Sequence, residues 1–580
     1  VPDWTLPWVK GLSLGTMLNY RLNSSHVKGL SARAPQYNQD GTLVVVTKPS
    51  LKEEAYFGDS YSLELNAAYT QTFAEKHTID AKAVFTVSES NGSYFWASRK
   101  DYLSATVDQL FAGSSIGMQN SGNSDEGGRM GLVGRLKYDF DSRYYIEGSF
   151  RYDGSDNFAP GHRWGFFPSV ALAWDITEEP FFKSLNLKNV NLLKLRGSYG
   201  QTGTEAGVNR FGYLSTYSLA ENAICIGGNL QSGFNEGALV SPELLSWYTR
   251  NSLNYGVDAA FFNHHLKGSV DYFFYVTKGG LVSPADRYVV PLGTSLPQIK
   301  SENEHRREGF EVSLRWDDKI GSDFYYEVGT NMTYYNNLYV KNQGESLSDL
   351  KNPYKRNTHQ TDYYGIMYMN NGLYQTPEQV LGLPRRLQSS ATKLGDIAYE
   401  DINGDGKIDG EDQVRWGMPT APHFTYGFDF ILGYKGFTLS GLLYGTGKRN
   451  MEFGVTTKKN EAIWVLNDYQ LDYWREDNRD ATFPRISLEA SANGSNNQAA
   501  STFWVKNASF LRLKNLTLEY DFKYKLLRRV KWLNTCRANI TGTNLFTISD
   551  VMDYFDPETA STSGGYPVQR VYSLGVTIGF

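Results

Sequence analysis

The sequence is poor in cysteine. Only Cys225 and Cys536 occur in 580 residues, far apart, which excludes a disulfide framework and any CxxC metal site. They read as two unpaired structural thiols. Long apolar runs are missing as well. No stretch approaches the ~18 to 20 uninterrupted apolar residues of a membrane helix, and mean hydropathy is −0.45. A helical membrane protein is thereby excluded. A membrane β-barrel is not, because its strands alternate and average out as polar. There is no basic surplus: 57 Lys and Arg stand against 62 Asp and Glu, a net charge of −5, so nothing points to nucleic acid. The opening VPDWTLPWVKGLSLG has neither the basic nor the apolar region of a signal peptide, so the start is either a mature or an internal one. No GxxxxGK[ST] or HExxH occurs, and no catalytic constellation stands out.

What is abundant is Tyr, at 40 residues, and Gly, at 56, against only 19 Pro. That balance suits long β-strands joined by tight turns. The main signal is period-2 alternation repeated along nearly the whole chain. Leu132, Gly134, Leu136, Tyr138 and Phe140 share one face, with Arg135, Lys137 and Asp139 opposite. After the break Asp141-Ser142-Arg143, Tyr144, Ile146, Gly148, Phe150 and Tyr152 resume the pattern against Glu147, Ser149, Arg151 and Asp153. Phe310, Val312, Leu314 and Trp316 alternate with Glu311, Ser313, Arg315 and Asp317. Leu266, Gly268, Val270, Tyr272 and Phe274 alternate with Lys267, Ser269 and Asp271.

A soluble sandwich also alternates, with its apolar side in the core. Three features favour a membrane barrel instead. The polar face carries both charge signs while the apolar face is aromatic. The strands are about ten residues long, the length a tilted membrane strand needs. Short and long connections alternate: short turns follow Phe140, Phe262 and Tyr434, a moderate one runs from Asp318 to Ser322, and long segments fall near 88–129, 201–248, 277–307, 336–422 and 446–507. About sixteen strands are expected, with bulging near Lys514-Asn515 where the alternation shifts phase. The last strand, YSLGVTIGF, puts Tyr572, Leu574, Val576, Ile578 and Phe580 on one face. Such an ending resembles an outer-membrane assembly signal, which places the C-terminus and the short turns in the periplasm and the long loops outside.

SYFWASRKDYLSATVDQLFAGSS, RYDGSDNFAPGHRWGFFPSVALAWDITEEPFF, LKLRGSYGQTG, GDIAYEDINGDGKIDGEDQ, FLRLKNLTLEY, GTNLFTISDVMDYFDPE and YPVQRVYSLGVTIGF together resemble the SusC/RagA family, in that family's order. The resemblance implies the C-terminal part, residues 1–580, of a transmembrane antiparallel β-barrel of the 22-stranded TonB-dependent class, with the plug and N-terminal extension absent from this sequence. It implies no enzymatic activity. It implies bacterial outer-membrane import of a large glycan or peptide, a SusD-like surface lipoprotein as lid, and energy from TonB-ExbB-ExbD through the missing N-terminal region. A passive porin-like or surface-adhesion barrel, and a secreted all-β carbohydrate-active enzyme, are the competing readings.

The strongest local motif runs from Asp401 to Asp412. Asp401, Asn403 and Asp405 stand at positions 1, 3 and 5 of a calcium-type loop, with Gly406 at the sharp turn and the Lys407 carbonyl at position 7. Asp412 takes position 12, where Glu is usual, and no helix pair flanks the loop. Ile408 is expected to pack inward. The alternatives are a structural Ca²⁺ and an ion-free acidic turn. His264-His265 reads as a solvated turn, and His162-Arg163-Trp164 as bracing at the outer rim. Tyr94, Phe95, Trp96, Tyr363, Tyr364, Tyr368, Trp416 and Trp464 are loop aromatics that either contact substrate or serve as girdle residues.

Overall fold

A computed structural model of the chain describes residues 3–32, 36–45, 48–236, 245–282, 299–386, 392–452, 471–486, 494–551, 555–559 and 568–580. Two units are distinguished. The first comprises Val1–Leu172, Tyr199–Arg250 and Gly279–Ser301, and the second Ala173–Ser198, Asn251–Lys278 and Glu302–Phe580. No described helix is long and apolar enough to cross a membrane.

The first unit holds β1 (Leu12–Ser31), β2 (Ser50–Phe73), β3 (His77–Arg99), β4 (Gln119–Phe140) and β5 (Tyr144–Ser155), each antiparallel to the next. β6 (Trp164–Asp175), β7 (Val190–Thr204) and β8 (Tyr248–Phe261) are divided between the units. The second unit holds β9 (Leu266–Lys278), β10 (Glu304–Ile320), β11 (Phe324–Lys341), β12 (Phe424–Tyr434), β13 (Phe437–Gly447), β14 (Phe510–Asp521), β15 (Thr535–Ser549) and β16 (Val571–Gly579). The expected sixteen long strands are all present.

Register confirms the two faces. Leu132 lies opposite Tyr152 and Phe85, and Leu136 opposite Gly148 and Ala81, so the apolar residues share one side. The Phe150 ring lies across Gly134, where an added Cβ would come within 2.3 Å of the ring. In the second unit Val312 sits opposite Val270 and Met332, and Leu574 opposite Ile540. These faces are uncovered by protein: Leu136 is 55% and Leu574 82% exposed. Leaving such side chains in water rather than burying them costs roughly 1.5–3 kcal/mol each, so the face requires hydrocarbon. A soluble sandwich would bury it.

The opposite face is charged and internally paired. In the first unit Arg135 meets Asp80 at 2.8 Å and Glu147 at 3.8 Å. In the second, Arg196 bridges Asp258 at 2.9 Å and Asp271 at 2.8 Å, and Arg315 joins Glu327 to Asp429.

The short turns are tight because consecutive residues take left-handed backbone: Ala74-Glu75, Asp141-Ser142 and Lys435-Gly436 each supply a pair with positive φ. Phe262, Asn263 and His264 do the same. Two connections at this end are longer, 176–189 and 522–534.

The expected loop near 88–129 is corrected. β1 to β4 run 20, 24, 23 and 22 residues, so β3 reaches Arg99, β4 starts at Gln119, and the connection is only 100–118. The expected strand length of about ten holds for β12 and β13, of 11 residues each, but not here. The described residues of connections 342–423 and 448–509 build a folded outer module in the second unit. Its core is Tyr368, Ile397, Tyr399, Ile408, Phe483, Ala499 and Trp504.

Candidate functional site

On the charged face of the first unit, β1 to β4 carry small polar residues in register. Asn19, Ser62, Ser88 and Arg129 lie side by side in one transverse row. Ser60, Ser90 and Gly127 form the next. Because these side chains are short, the wall dips into a recess of about 480 Å³. Its rim comes from two loops. Asp156 accepts from the Gly128 amide at 2.7 Å, and Arg210 reaches Asp156 at 3.5 Å and Asp125 at 4.0 Å. Glu205 pairs with Arg129, accepts from Ser155 Oγ, and accepts from Asn157 Nδ2 at 3.0 Å. Arg210 lies directly across Gly127, where a Cβ would stand 1.3 Å from its Nη2. Only glycine permits that approach. Sequence reasoning missed this recess, although its serines stand in plain sight in GDSYSLEL and SESNGS.

The rim signature folds as bracing. Arg163 Nε donates to the Phe158 carbonyl at 3.2 Å, its own carbonyl accepts from Trp247 Nε1 at 3.0 Å, and Trp164 stacks on Tyr152 at 4.8 Å. Phe158 is fully buried against Trp247.

The acidic loop of the second unit wraps around its own carboxylates. Asp401 accepts from the Gly404 and Gly406 amides, both at 2.7 Å. Asn403 accepts from Asp405 N, and Asp405 from Lys407 N, each at 2.9 Å. Ile408 is buried in the module core, as its position 8 leads one to expect. Asp412 is fully buried, and its two oxygens accept from the Ile402 and Asp409 amides at 2.9 and 2.8 Å. Among the described residues no three His, Cys, Asp or Glu side chains converge as a metal cluster. Of the expected ligands, Asn403, Asp405 and Lys407 are exposed and Asp401 is half-buried. Asp412 holds the loop's interior.

The loop aromatics separate. Tyr368 is buried in the module core, which fits neither of the two roles considered for it. Arg415 stacks over Tyr363 at 4.1 Å. Trp96 lies under Lys52 at 4.7 Å, and Tyr94 donates to Glu54. Phe95 stands 57% exposed on the apolar face of β3. Trp464 lies outside the described residues.

The family model described as TonB dependent receptor-like, beta-barrel matches residues 3–545. The chain is 27% identical over 498 residues to TonB-dependent receptor P3 of Formosa agariphila, covering 81% of this chain and 47% of that protein. It is 28% identical over 465 residues to TonB-dependent receptor SusC of Bacteroides thetaiotaomicron, covering 77% and 43%. Its fold matches a chain of the RagAB peptide importer in the 'open-open' state with TM-score 0.78 and 21% identity, covering all of this chain and 60% of that one. The chain spans about half the length of the curated relatives it matches.

Proposed function

The chain belongs to the TonB-dependent receptor β-barrel family of outer-membrane proteins, and from that premise we propose that it forms the wall of an energised nutrient importer of the SusC/RagA type. In this reading the charged face lines the path of a large glycan or peptide, a SusD-like lipoprotein closes the outer end, and TonB-ExbB-ExbD acts on the remainder of the protein. The observation that supports it most is a ladder with one uncovered apolar face and one ion-paired polar face, crowned on one side by a folded outer module. A conduit needs that combination. The test is uptake of fluorescently labelled oligosaccharides and peptides by cells with and without the full-length gene, each with TonB intact or deleted. Uptake that needs both supports import. Uptake that needs the gene and not TonB replaces it with passive entry.

We also propose that the outer loop takes one calcium ion on Asp401, Asn403, Asp405 and the Lys407 carbonyl. Bound there, calcium would neutralise the Asp401 and Asp405 carboxylates and stiffen the loop, while Ile408 and Asp412 anchor it from within.

A further inference from the structure

We propose that the serine-floored recess of the first unit is a subsite for a neutral saccharide unit, an inference that rests on reading the charged face as the wall of the conduit. The recess lies about a dozen residues from the Ala74–Lys76 turn along β2 and β3. At about 3.3 Å per residue and a tilt near 40°, that is about 30 Å above the turn, at the outer margin of the bilayer, where an entering ligand first meets the wall. Its volume, about 480 Å³, falls within the roughly 300–1,000 Å³ of small-molecule sites.

The chemistry of the floor is specific. Ser60 stands opposite Ser90, and Ser62 opposite Ser88 and Asn19. The rows repeat about every 4.8 Å across strands and about 6.7 Å along them. None of these four hydroxyls has a hydrogen-bonding partner among the described residues. Each is both donor and acceptor, as a sugar hydroxyl is. The arginines at the rim are already matched: Arg129 by Glu205, and Arg210 by Asp156 and Asp125. An anionic ligand would have to displace those carboxylates. A peptide segment would need a place for apolar side chains, and among the lining residues only Val208 is aliphatic. A neutral polyhydroxylated unit satisfies the open hydroxyls without either cost.

The full-length protein, purified in detergent from outer membranes, is titrated with neutral gluco-, manno-, xylo- and fructo-oligosaccharides, with oligogalacturonates, and with a pool of tripeptides. Wild type is expected to bind at least one neutral oligosaccharide. Ser62→Leu and Ser88→Leu, which fill the recess, are expected to weaken that binding at least ten-fold, while Lys137→Ala, deeper on the same face, leaves it within two-fold. Heat-modifiable gel mobility verifies that each variant is folded. Ser62→Ala and Ser88→Ala, which remove the hydroxyls alone, provide a second measurement if either leucine variant does not fold. No neutral oligosaccharide bound, binding of oligogalacturonate or tripeptides alone, or neutral binding unchanged in the folded serine variants overturns the subsite. Loss of TonB-dependent uptake with this pattern intact sinks the importer reading and leaves the subsite. Normal uptake with the pattern absent does the reverse.

Discussion

Arg485→Leu in the outer module is the perturbation whose consequence is best defined. Asp396 is fully buried there. Its carboxylate accepts from Arg485 Nη2 at 3.4 Å, with the Arg485 Nε 2.8 Å away, from Lys393 N at 2.8 Å and from Asn497 Nδ2 at 3.1 Å. Burial pushes the Asp396 carboxyl above its ordinary range, opposed by these hydrogen bonds and by the Arg485 charge. Removing one partner of a buried pair costs about 3–5 kcal/mol, and the remaining donors, Lys393 N and Asn497 Nδ2 among them, hold the loss toward the lower end. At ~1.36 kcal/mol per decade, the opening equilibrium of the module rises by about two to three and a half orders of magnitude. The Ile397 amide, which donates to Asn497 Oδ1 at 3.0 Å, reports it by native-state hydrogen exchange. The sign with pH follows. A carboxyl whose folded pKa is raised binds its proton more tightly when folded, so its contribution is fully present below the unfolded pKa and is lost as pH rises through the folded one. Without Arg485 the upward shift grows. The exchange penalty should therefore be larger at pH 7 than at pH 5, after correction for intrinsic rates. Asp396→Asn on the Arg485→Leu background should recover most of the loss at pH 7. A penalty under ten-fold, or one equal at both pH values, refutes the reasoning.

Leu136→Arg puts a charge on the apolar face of β4 and should cost up to about 2–4 kcal/mol of membrane stability, read as a lower urea midpoint in lipid vesicles. Arg135→Leu, one residue away on the paired face, should shift that midpoint far less. Deleting Phe580, which stacks on Trp532 at 5.8 Å and whose carbonyl accepts from Asn534 Nδ2 at 2.6 Å, should lower outer-membrane levels of the full-length protein severalfold by immunoblot. Unchanged levels would count against a role in assembly. Chelating calcium should speed exchange of the Gly404 and Gly406 amides, and Asp401→Ala should make that exchange insensitive to calcium, with Lys407→Ala retaining the response. Equal exchange with and without calcium in the wild type would leave an ion-free turn.

Legibility in the sequence followed the membrane. Where one face meets lipid and the other water, alternation marked strand, face and turn, as at Leu132 to Phe140. Above the bilayer both faces are wet. SESNGSY in β3 and NSGNSDEGG in β4 have no apolar side to alternate, so these strand extensions look like loop although their ladder continues unbroken. The recess stayed hidden for a related reason. It needs Asn19, Ser62, Ser88 and Arg129 brought level by register, and Glu205 and Arg210 delivered from a distant connection. Ile408 was legible because a calcium-type loop fixes which residue turns inward. Tyr368 was not, since its partners Ile397 and Trp504 lie far along the chain.

The irregularity at Lys514 carries a consequence for the charge beside it. Leu442 pairs with Asn515 and Leu443 with Leu513, so Lys514 has no counterpart on β13. Below it Leu516, Leu518 and Tyr520 share the apolar side with Leu439 and Phe437. Above it the odd residues Leu511 and Leu513 take over that side. Arg512 therefore turns to the polar side, where it is almost wholly enclosed, meeting Asp556 at 2.5 Å, Thr547 Oγ1 at 2.9 Å, and Glu558. The strand is in effect read in two frames, with one inserted residue as the frameshift between them. Excising Lys514 would restore a single frame and leave Arg512 on the polar side, within reach of all three partners. A deletion that makes the sequence pattern more regular would thus leave both faces of the strand as they are.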